Sequence, residues 1–180
     1  LPRDTLEPWL DAHLTKPERL ALLGNLQQRV VHRLPTAYLV QEAWLGEFRF
    51  YVDQRVIVPR SYFAELLQTG FVPWIQDPEA VESALDLCTG SGCLAILMAN
   101  AFPNAAVDAI DISADALVVA SRNIADYHLE DRVKPVESDL FAAVPGKRYD
   151  LIVCNPPYVT AEAMAALPAE YRAEPELALA

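Results

Sequence analysis

The 180-residue sequence is poor in the residues that build disulfide frameworks, metal centres and nucleic-acid clamps. Its three cysteines are odd in number and show no C-x-x-C spacing, and its three histidines are scattered, so we expect no metal site. Only 14 lysines and arginines stand against 25 acidic residues, which gives a net charge of −11. Because a protein that grips nucleic acid by its phosphates needs a basic face, we expect no direct nucleic-acid partner.

Long apolar segments are absent as well. No run approaches the about 20 residues of a membrane-spanning helix and no signal peptide is visible, so we expect a cytoplasmic protein without a membrane partner. Cys88, Cys93 and Cys154 lie on or beside predicted strands, where we expect them to act as small core residues in a reducing compartment. With 53% hydrophobic residues, the chain can build one substantial domain and a smaller one.

The second half of the chain predicts a parallel sheet with intervening helices. Four apolar segments are typical of buried strands, at residues 84–88, 106–110, 133–137 and 149–154. Helical patterns at residues 94–102 and 114–128 alternate with strands, which indicates an α/β fold. Each strand is followed by a glycine-rich loop, an aspartate or an asparagine, at the edge where open α/β sheets bind ligands.

The loop after the first predicted strand has the composition of a nucleotide site. Gly90 and Gly92 let the backbone approach a ligand, and they lead into a helix N-terminus with free N–H groups. Asp111 lies 21 residues after Gly90, near the spacing of about 20 expected for a carboxylate that binds ribose hydroxyls. Residues 90–95 also satisfy G-x-G-x-x-A, so a nicotinamide dehydrogenase is an alternative. Asp86 and the element described next count against it, because hydride transfer requires neither.

The segment Asn155-Pro156-Pro157-Tyr158 follows the fourth predicted strand. Neither proline can donate to a sheet, so the chain must leave the sheet here, with Asn155 as the last strand residue on a stiff, extended stub. The Asn155 side-chain oxygen and the Pro156 carbonyl can each accept a hydrogen bond from one NH₂ group, while the Tyr158 ring covers its face. This arrangement predicts a holder for an amide or amino nitrogen that acts as a nucleophile in methyl transfer from S-adenosylmethionine.

Together these motifs resemble the class I S-adenosylmethionine-dependent methyltransferases that act on amino and amide groups. That group includes adenine-N6 methyltransferases and the HemK-type protein glutamine methyltransferases. The N-terminal third is similar to the glutamine enzymes at residues 37–39, 50–52, 56–61 and 65–66, and so is the tail at residues 170–179. Pro59-Arg60-Ser61 resembles the branch called PrmB, which modifies a glutamine of a large-subunit ribosomal protein, rather than the release-factor enzymes.

The resemblance implies N5 methylation of a glutamine in a large-subunit ribosomal protein. Methylation of a release factor, or adenine-N6 methylation of nucleic acid, remains an alternative, and so does a binding module without turnover. The implied catalytic residues are Asn155, Pro156 and Tyr158, which hold the substrate amide. The implied cofactor-binding residues are Asp86, Thr89, Gly90, Gly92, Asp111, Ile112, Asp139, Leu140, Asn155 and Arg60. Within this set, Asp86 and the glycine loop are assigned to the methionine part, Asp111 to the ribose, and Asp139 with Leu140 to the adenine.

The N-terminal third has a different pattern from the sheet. A capping box at Thr15 and Glu18 opens a helix that carries leucines on one side and stops before Pro35. A shorter helix near residues 6–14 is also predicted, and residues 48–53 and 54–58 predict a β-hairpin or a pair of short strands. We therefore expect a helical substrate-recognition subdomain (1–36), a β-hairpin linker (37–59) and a cofactor-binding domain (60–180) that begins with a helix at 60–69.

The cofactor-binding domain shows only the first four strands of a Rossmann-like class I methyltransferase sheet. Members of the family begin before the position of Leu1 and continue past that of Ala180, so we expect a fragment incomplete at both ends. Its fourth strand would then form an unprotected apolar edge. We expect catalysis by such a fragment to be impaired or absent.

Overall fold

A computed structural model describes residues 10–180 of the chain. The helices are α1 (Lys16–Val31), α2 (Thr36–Val40), α3 (Phe63–Gln68), α4 (Cys93–Ala101), α5 (Ala114–Asp126) and α6 (Ala161–Ala166). The strands are β1 (Ala43–Leu45), β2 (Phe48–Phe50), β3 (Ser83–Leu87), β4 (Ala106–Asp111), β5 (Val133–Glu137) and β6 (Leu151–Cys154). Short 3₁₀ turns occur at Pro78–Ala80, Ala169–Ala173 and Glu176–Ala178.

Strands β3 to β6 form one parallel sheet in the order β5-β4-β3-β6. The chain runs outward from β3 through β4 to β5 and then returns to the other side of β3 as β6. Leu87 pairs with Ile110 on one side and with Cys154 on the other, so the loops after β3, β4 and β6 leave the sheet together. Such a reversal point is where open α/β sheets form a ligand crevice. The predicted α/β class and the four parallel strands are confirmed.

The two faces of this sheet are covered differently. Helix α4 is apolar on every side, and its residues from Cys93 to Ala99 are buried against the sheet and α3. Alternation along β3 places Ala84 on this helical face and Leu85 and Leu87 on the opposite one. The opposite face packs against the loop that precedes β6, so a buried core lies on each side of the site-bearing edge.

The β-hairpin of the N-terminal region differs from the prediction. Strands pair as β1 with β2 around Gly46, so the predicted pairing of residues 48–53 with 54–58 is wrong. After β2 the Asp53 carboxylate accepts hydrogen bonds from the backbone N–H and the guanidinium of Arg55. This local turn replaces the second predicted strand, because it directs the backbone away from a sheet ladder.

Helix α1 begins with the predicted capping box, in which Thr15 and Glu18 bond reciprocally. No α1 residue is buried in the part of the chain that the structure describes, and Leu20 and Leu23 are each 60% exposed. The predicted apolar side of α1 is therefore not packed against residues 10–180. The shorter helix predicted near residues 6–14 lies mostly outside the described residues, and residues 10–14 contain only a turn.

The observed ends of the other elements differ from the predicted ends by a few residues. The predicted helix at 60–69 is the shorter α3, and Asn155 lies one residue past the end of β6 instead of inside it. Across residues 10–180, no strand pairs with the outer side of β6, and Ile152 is 48% exposed there. The expected exposed edge is thus present within the described chain.

Candidate functional site

A cavity of about 270 Å³ opens at the carboxyl edge of the sheet. Eight of the predicted site residues line it: Arg60, Thr89, Gly90, Asp111, Ile112, Asp139, Leu140 and Asn155. Four do not, namely Asp86, Gly92, Pro156 and Tyr158. Most of the predicted site residues therefore line one cavity, and the four remaining residues lie outside its lining.

The glycine-rich loop after β3 is held by hydrogen bonds that its backbone N–H groups donate. The Thr89 N–H donates to the Ile110 carbonyl at 2.8 Å, and the Gly90 N–H donates to Asp111 Oδ2 at 2.8 Å. Gly90 has φ +55° and Gly92 φ +77°, a region that favours glycine. A Cβ on Gly92 would lie 3.1 Å from the Ala120 Cβ, so Gly92 serves close packing of the loop against α5.

Asp86 lies in β3 beneath this loop and is completely buried. Its Oδ2 accepts hydrogen bonds from Thr89 Oγ1 at 2.5 Å and from the Ala95 N–H at 2.9 Å, so the carboxylate ties the loop to the first turn of α4. Its Oδ1 has no hydrogen-bond partner among the described residues. Burial raises the pKa of Asp86 to about 7. The two hydrogen bonds act in the opposite direction, but their effect on the pKa is smaller than that of burial.

Asp111 links the loop after β3 to the loop after β4. Its Oδ2 binds Gly90, and its Oδ1 accepts from the Ser113 N–H at 2.9 Å. Both oxygens keep further lone pairs for a ligand. The Asp111 carbonyl also accepts from the Ser138 N–H at 2.9 Å, which brings the loop after β5 to the same cavity.

Ser138 shapes the third loop of the site. Its hydroxyl donates to the Leu140 carbonyl at 2.9 Å and accepts from the Ala143 N–H at 2.9 Å. Leu140 has φ +48° and is 51% exposed, so its side chain stands at the cavity rim. Sequence reasoning named Asp139 and Leu140 but missed Ser138, whose buried hydroxyl fixes their backbone.

Asn155 is half-buried at the point where the chain leaves β6. No hydrogen bond to its carboxamide is present within residues 10–180. Pro157 lines the cavity beside it, whereas Pro156 is exposed and Tyr158 is 78% exposed. Asn155 and Pro157 are thus the members of this segment that line the cavity.

Arg60 belongs to a salt bridge that also forms part of the cavity wall. Its Nη2 donates to both carboxylate oxygens of Glu174, one at 2.6 Å, and its Nε donates to the Val58 carbonyl at 3.1 Å. The Glu174 side chain is only 3% exposed, and the guanidinium lies 4.8 Å from the centre of the Tyr171 ring. Sequence reasoning named Arg60 and missed Glu174, which is 114 residues away.

The C-terminal residues after α6 complete the cavity. Pro175, Leu177 and Ala178 line it, and the Leu179 carbonyl accepts from the Val159 N–H at 2.8 Å. The Glu-Pro-Glu-Leu run at residues 174–177 belongs to the part of the tail that resembles the glutamine enzymes, but it does not indicate which residues it meets in the fold.

Two further residues shape the site, one that the sequence analysis did not name and one that it placed in the core. Asn123 of α5 is buried, and its amide donates to the carbonyls of Ser91 and Tyr51 at 2.8 and 3.0 Å, so it joins the glycine loop to the segment after β2. Cys88 is half-buried and lines the cavity, whereas we expected a core position. Burial is the main reason that the pKa of the Cys88 thiol is raised to about 12. No cluster of metal-ligating side chains occurs in the described part of the chain.

A search of the helices within residues 10–180 finds none that combines the length and the apolar character needed to cross a membrane.

Comparison with curated proteins gives close relatives. The chain is 60% identical to the ribosomal protein uL3 glutamine methyltransferase of Bordetella pertussis, over all of this chain and 60% of that protein. It is 57% identical to the protein of the same name from Burkholderia pseudomallei, over all of this chain and 61% of the relative. The chain therefore spans about 60% of the length of these relatives. They confirm the resemblance to glutamine methyltransferases.

Solved structures share the fold at low sequence identity. The delta-N METTL16 MTase domain matches with a TM-score of 0.51 and 17% identity, over 81% of this chain and 62% of that one. The hMettl16 catalytic domain in complex with MAT2A 3'UTR hairpin 6 matches with a TM-score of 0.50 and 18% identity, over 92% and 57%. The methyltransferase small domain family matches residues 71–170, more than half of the sequence. With its parallel sheet and cavity at the expected edge, the chain belongs to the methyltransferase small domain family.

Proposed function

We propose that this protein transfers a methyl group from S-adenosylmethionine to the N5 amide nitrogen of a glutamine in ribosomal protein uL3. The observation that carries the proposal is the Asn155 carboxamide, which lines the cavity and is unpaired within residues 10–180. An amide of this kind can accept one hydrogen bond from a substrate NH₂ group and donate another to its carbonyl. The relatives named as uL3 glutamine methyltransferases support the choice of substrate.

The cavity has the donors and acceptors that the cofactor requires. Asp111 keeps lone pairs for ribose hydroxyls, and the residues at 139 and 140 form the wall that we assign to adenine. Gly90 has no atom within 4 Å of a built Cβ, so the loop leaves open space toward the cavity for the methionine part. The buried, unpaired Oδ1 of Asp86 suits a nearby positive charge, because such a charge would offset the cost of ionising that carboxyl.

The residues around Asn155 act by holding the nitrogen that is methylated. When bound, S-adenosylmethionine supplies an electrophilic methyl group on its sulfonium. The Asn155 oxygen and the Pro156 carbonyl accept the two N–H groups of the glutamine amide, and Tyr158 covers the open face. Such acceptors orient the nitrogen and favour partial pyramidalisation, which exposes a lone pair otherwise delocalised into the carbonyl. Positioning of this kind can contribute on the order of 7–11 kcal/mol to lowering the barrier.

We assign recognition of the substrate protein to residues 1–36, methyl transfer to residues 60–180, and the role of a linker between them to residues 37–59. The exposed leucines of α1 and the net charge of −11 support this division, because a ribosomal protein is strongly basic. We place the reaction in the cytoplasm, where ribosomal proteins are made.

The direct test offers the chain S-adenosylmethionine with a labelled methyl group and one of three acceptors: unmethylated uL3, unmethylated release factor, or adenine-containing nucleic acid. The Bordetella pertussis relative serves as the full-length reference. We expect one methyl group on a glutamine of uL3, formed more slowly than by the reference. Labelling of the release factor or of nucleic acid alone would overturn the substrate assignment. No transfer after prolonged incubation, while the reference goes to completion, would overturn turnover by this chain.

Replacing Asn155 tests the role of the carboxamide itself. We expect Asn155→Ala to lower the turnover of uL3 at least a hundredfold, about 2.7 kcal/mol of transition-state stabilisation, while S-adenosylhomocysteine affinity stays within about threefold. Asn104→Ala is the matched control, since that side chain donates to the Glu79 carbonyl at the surface and lies outside the cavity lining. Equal losses of turnover and affinity in a folded Asn155→Ala protein would assign Asn155 to the fold.

A further inference from the structure

One wall of the cavity is built by two segments far apart in sequence. Residues 57, 59, 60 and 61 contribute from the N-terminal side, and residues 175, 177 and 178 contribute from the C-terminal side. We call the C-terminal segment, residues 169–180, the tail strap. The hydrogen bonds between the strap and residues 57–61 of this wall are made by Glu174, which is the starting point of this inference.

The Glu174 side chain is buried and pairs with a neighbouring positive charge. Its side chain is 3% exposed, and its carboxylate accepts hydrogen bonds from the Arg60 guanidinium and from the Val58 N–H at 3.3 Å. A buried carboxylate is costly unless such donors compensate it. The pairing therefore fixes both partners: Glu174 stays buried because Arg60 is present, and Arg60 stays against the wall because Glu174 is present.

The Arg60 side chain is restrained at three points. Its Nη2 binds Glu174, its Nε donates to the Val58 carbonyl, and the Tyr171 ring lies 4.8 Å from its central carbon. Its Nη1 has no acceptor among residues 10–180, and the side chain remains 42% exposed. A lysine or arginine that moves freely loses rotamer entropy when it binds an anion, whereas Arg60 has already lost much of it.

We propose that Glu174 is a positioning residue that holds the Arg60 guanidinium in the cavity wall, where its free Nη1 recognises the carboxylate of the cofactor's amino-acid part. This inference rests on the proposed function, because it takes the cofactor from it. The methionine part of S-adenosylmethionine carries one carboxylate, and a planar guanidinium is the side chain best matched to such a group. Arg60 is then the residue that touches the cofactor, and Glu174 acts through it.

The tail strap also contacts the segment that follows Asn155. The Leu179 carbonyl binds the Val159 N–H, four residues after Asn155, so the strap joins the Arg60 wall to the segment that holds the substrate amide. A displaced strap would therefore disturb the cofactor carboxylate and the substrate side of the cavity together.

The test uses two ligands that differ in the amino-acid part. S-adenosylhomocysteine carries the carboxylate, while 5′-methylthioadenosine keeps the adenosine and lacks the amino acid. Binding of each is measured by calorimetry on the chain and on Glu174→Gln, Arg60→Met, the double variant, and Glu170→Gln. Glu170 is the matched control, because it lies on the same strap but pairs with Arg29 and Arg33 at the surface and does not line the cavity.

We expect Glu174→Gln to weaken S-adenosylhomocysteine binding about tenfold and to leave methylthioadenosine binding within twofold. Arg60→Met should do the same, the double variant should lose no more than Arg60→Met alone, and Glu170→Gln should bind both ligands normally.

Several results would overturn the inference. Equal weakening of both ligands by Glu174→Gln would make Glu174 a support of the strap alone. Normal S-adenosylhomocysteine binding by Glu174→Gln, with weak binding by Arg60→Met, would separate the two residues and leave the proposed function standing. No binding of either ligand by the unaltered chain would overturn both proposals. If circular dichroism shows Glu174→Gln to be unfolded, Glu174→Asp decides by the same ligand comparison, since it keeps the charge and shortens the reach.

Discussion

The cavity has two walls that are held together by different means. The sheet wall consists of the loops after β3, β4, β5 and β6. Backbone N–H groups close it: those of Thr89 and Ser138 donate to backbone carbonyls, and that of Gly90 donates to the Asp111 carboxylate. The strap wall consists of residues 57–61 and the tail strap, and the Glu174 carboxylate closes it. The first is part of the sheet and folds with it. The second rests on one buried charge and a few backbone contacts, so a single substitution can change it without unfolding the core.

This difference predicts which substitutions act on stability and which act on binding. Changes in the sheet wall should alter the free energy of unfolding by several kcal/mol, because they leave buried groups unpaired or crowd the core. Changes at the surface of the strap should alter it little. The predictions below start with the largest expected effect.

The largest effect on the free energy of unfolding is expected at Asp86, because its pKa is raised in the folded protein. The native carboxyl keeps its proton up to about pH 7, whereas the ordinary value is 3.8. Between these pH values the unfolded chain binds fewer protons than the native one, so stability falls as the pH rises and then levels off above pH 7. The loss amounts to roughly 4 kcal/mol in all, since one pKa unit corresponds to about 1.4 kcal/mol.

Asp86→Asn removes this ionisation while keeping the shape of the side chain. Urea unfolding at pH 4.5 and pH 8 should show that the variant loses less stability than the unaltered chain as the pH rises. Parallel losses in both proteins would mean that the Asp86 carboxyl ionises normally. Addition of S-adenosylhomocysteine at pH 8 should recover more stability in the unaltered chain than in the variant, because the ammonium group of the ligand's amino-acid part would favour the ionised carboxyl.

The next effect concerns the two glycines of the loop after β3. Gly92→Ala should cost about 3 kcal/mol, because the left-handed backbone disfavours a side chain and the new Cβ meets Ala120 at 3.1 Å. Gly90→Ala is the matched control with φ +55° and no atom within 4 Å of the built Cβ, and it should cost about 1 to 2 kcal/mol. Thermal unfolding of both variants measures the difference, which reports the crowding alone. Equal costs would show that α5 moves aside.

The sheet wall could be predicted from sequence because each part of it is local. Asp111 and Asn155 each follow a strand, and parallel strands end at one edge, so their meeting follows from the topology alone. The glycines precede a helix, and the capping box at Thr15 marks α1 in the same local manner. These signals lie within a few residues of the element they specify.

The strap wall could not be predicted for the opposite reason. The Glu174–Arg60 bond joins residues 114 apart, and Asn123 reaches Tyr51 across 72 residues. Nothing in the sequence near either residue states which partner the fold brings to it. The predicted pairing of residues 48–53 with 54–58 was wrong for a local reason. The turn that Asp53 and Arg55 form by hydrogen bonding replaces the second strand, although the residue pattern is typical of a strand.

The smallest effect is expected at Glu170, where the strap meets α1. Its carboxylate lies 3.4 Å from Arg29 and 3.9 Å from Arg33, and the side chains are 27% to 58% exposed. Water and salt screen such pairs, so Glu170→Gln should lower the free energy of unfolding by less than about 1 kcal/mol, and the difference should vanish at high salt. Urea unfolding at low and high salt measures both. A loss of several kcal/mol that persists in salt would mean that α1 and the strap unfold with the sheet as one unit, and the distinction between the two walls would then concern ligand binding alone.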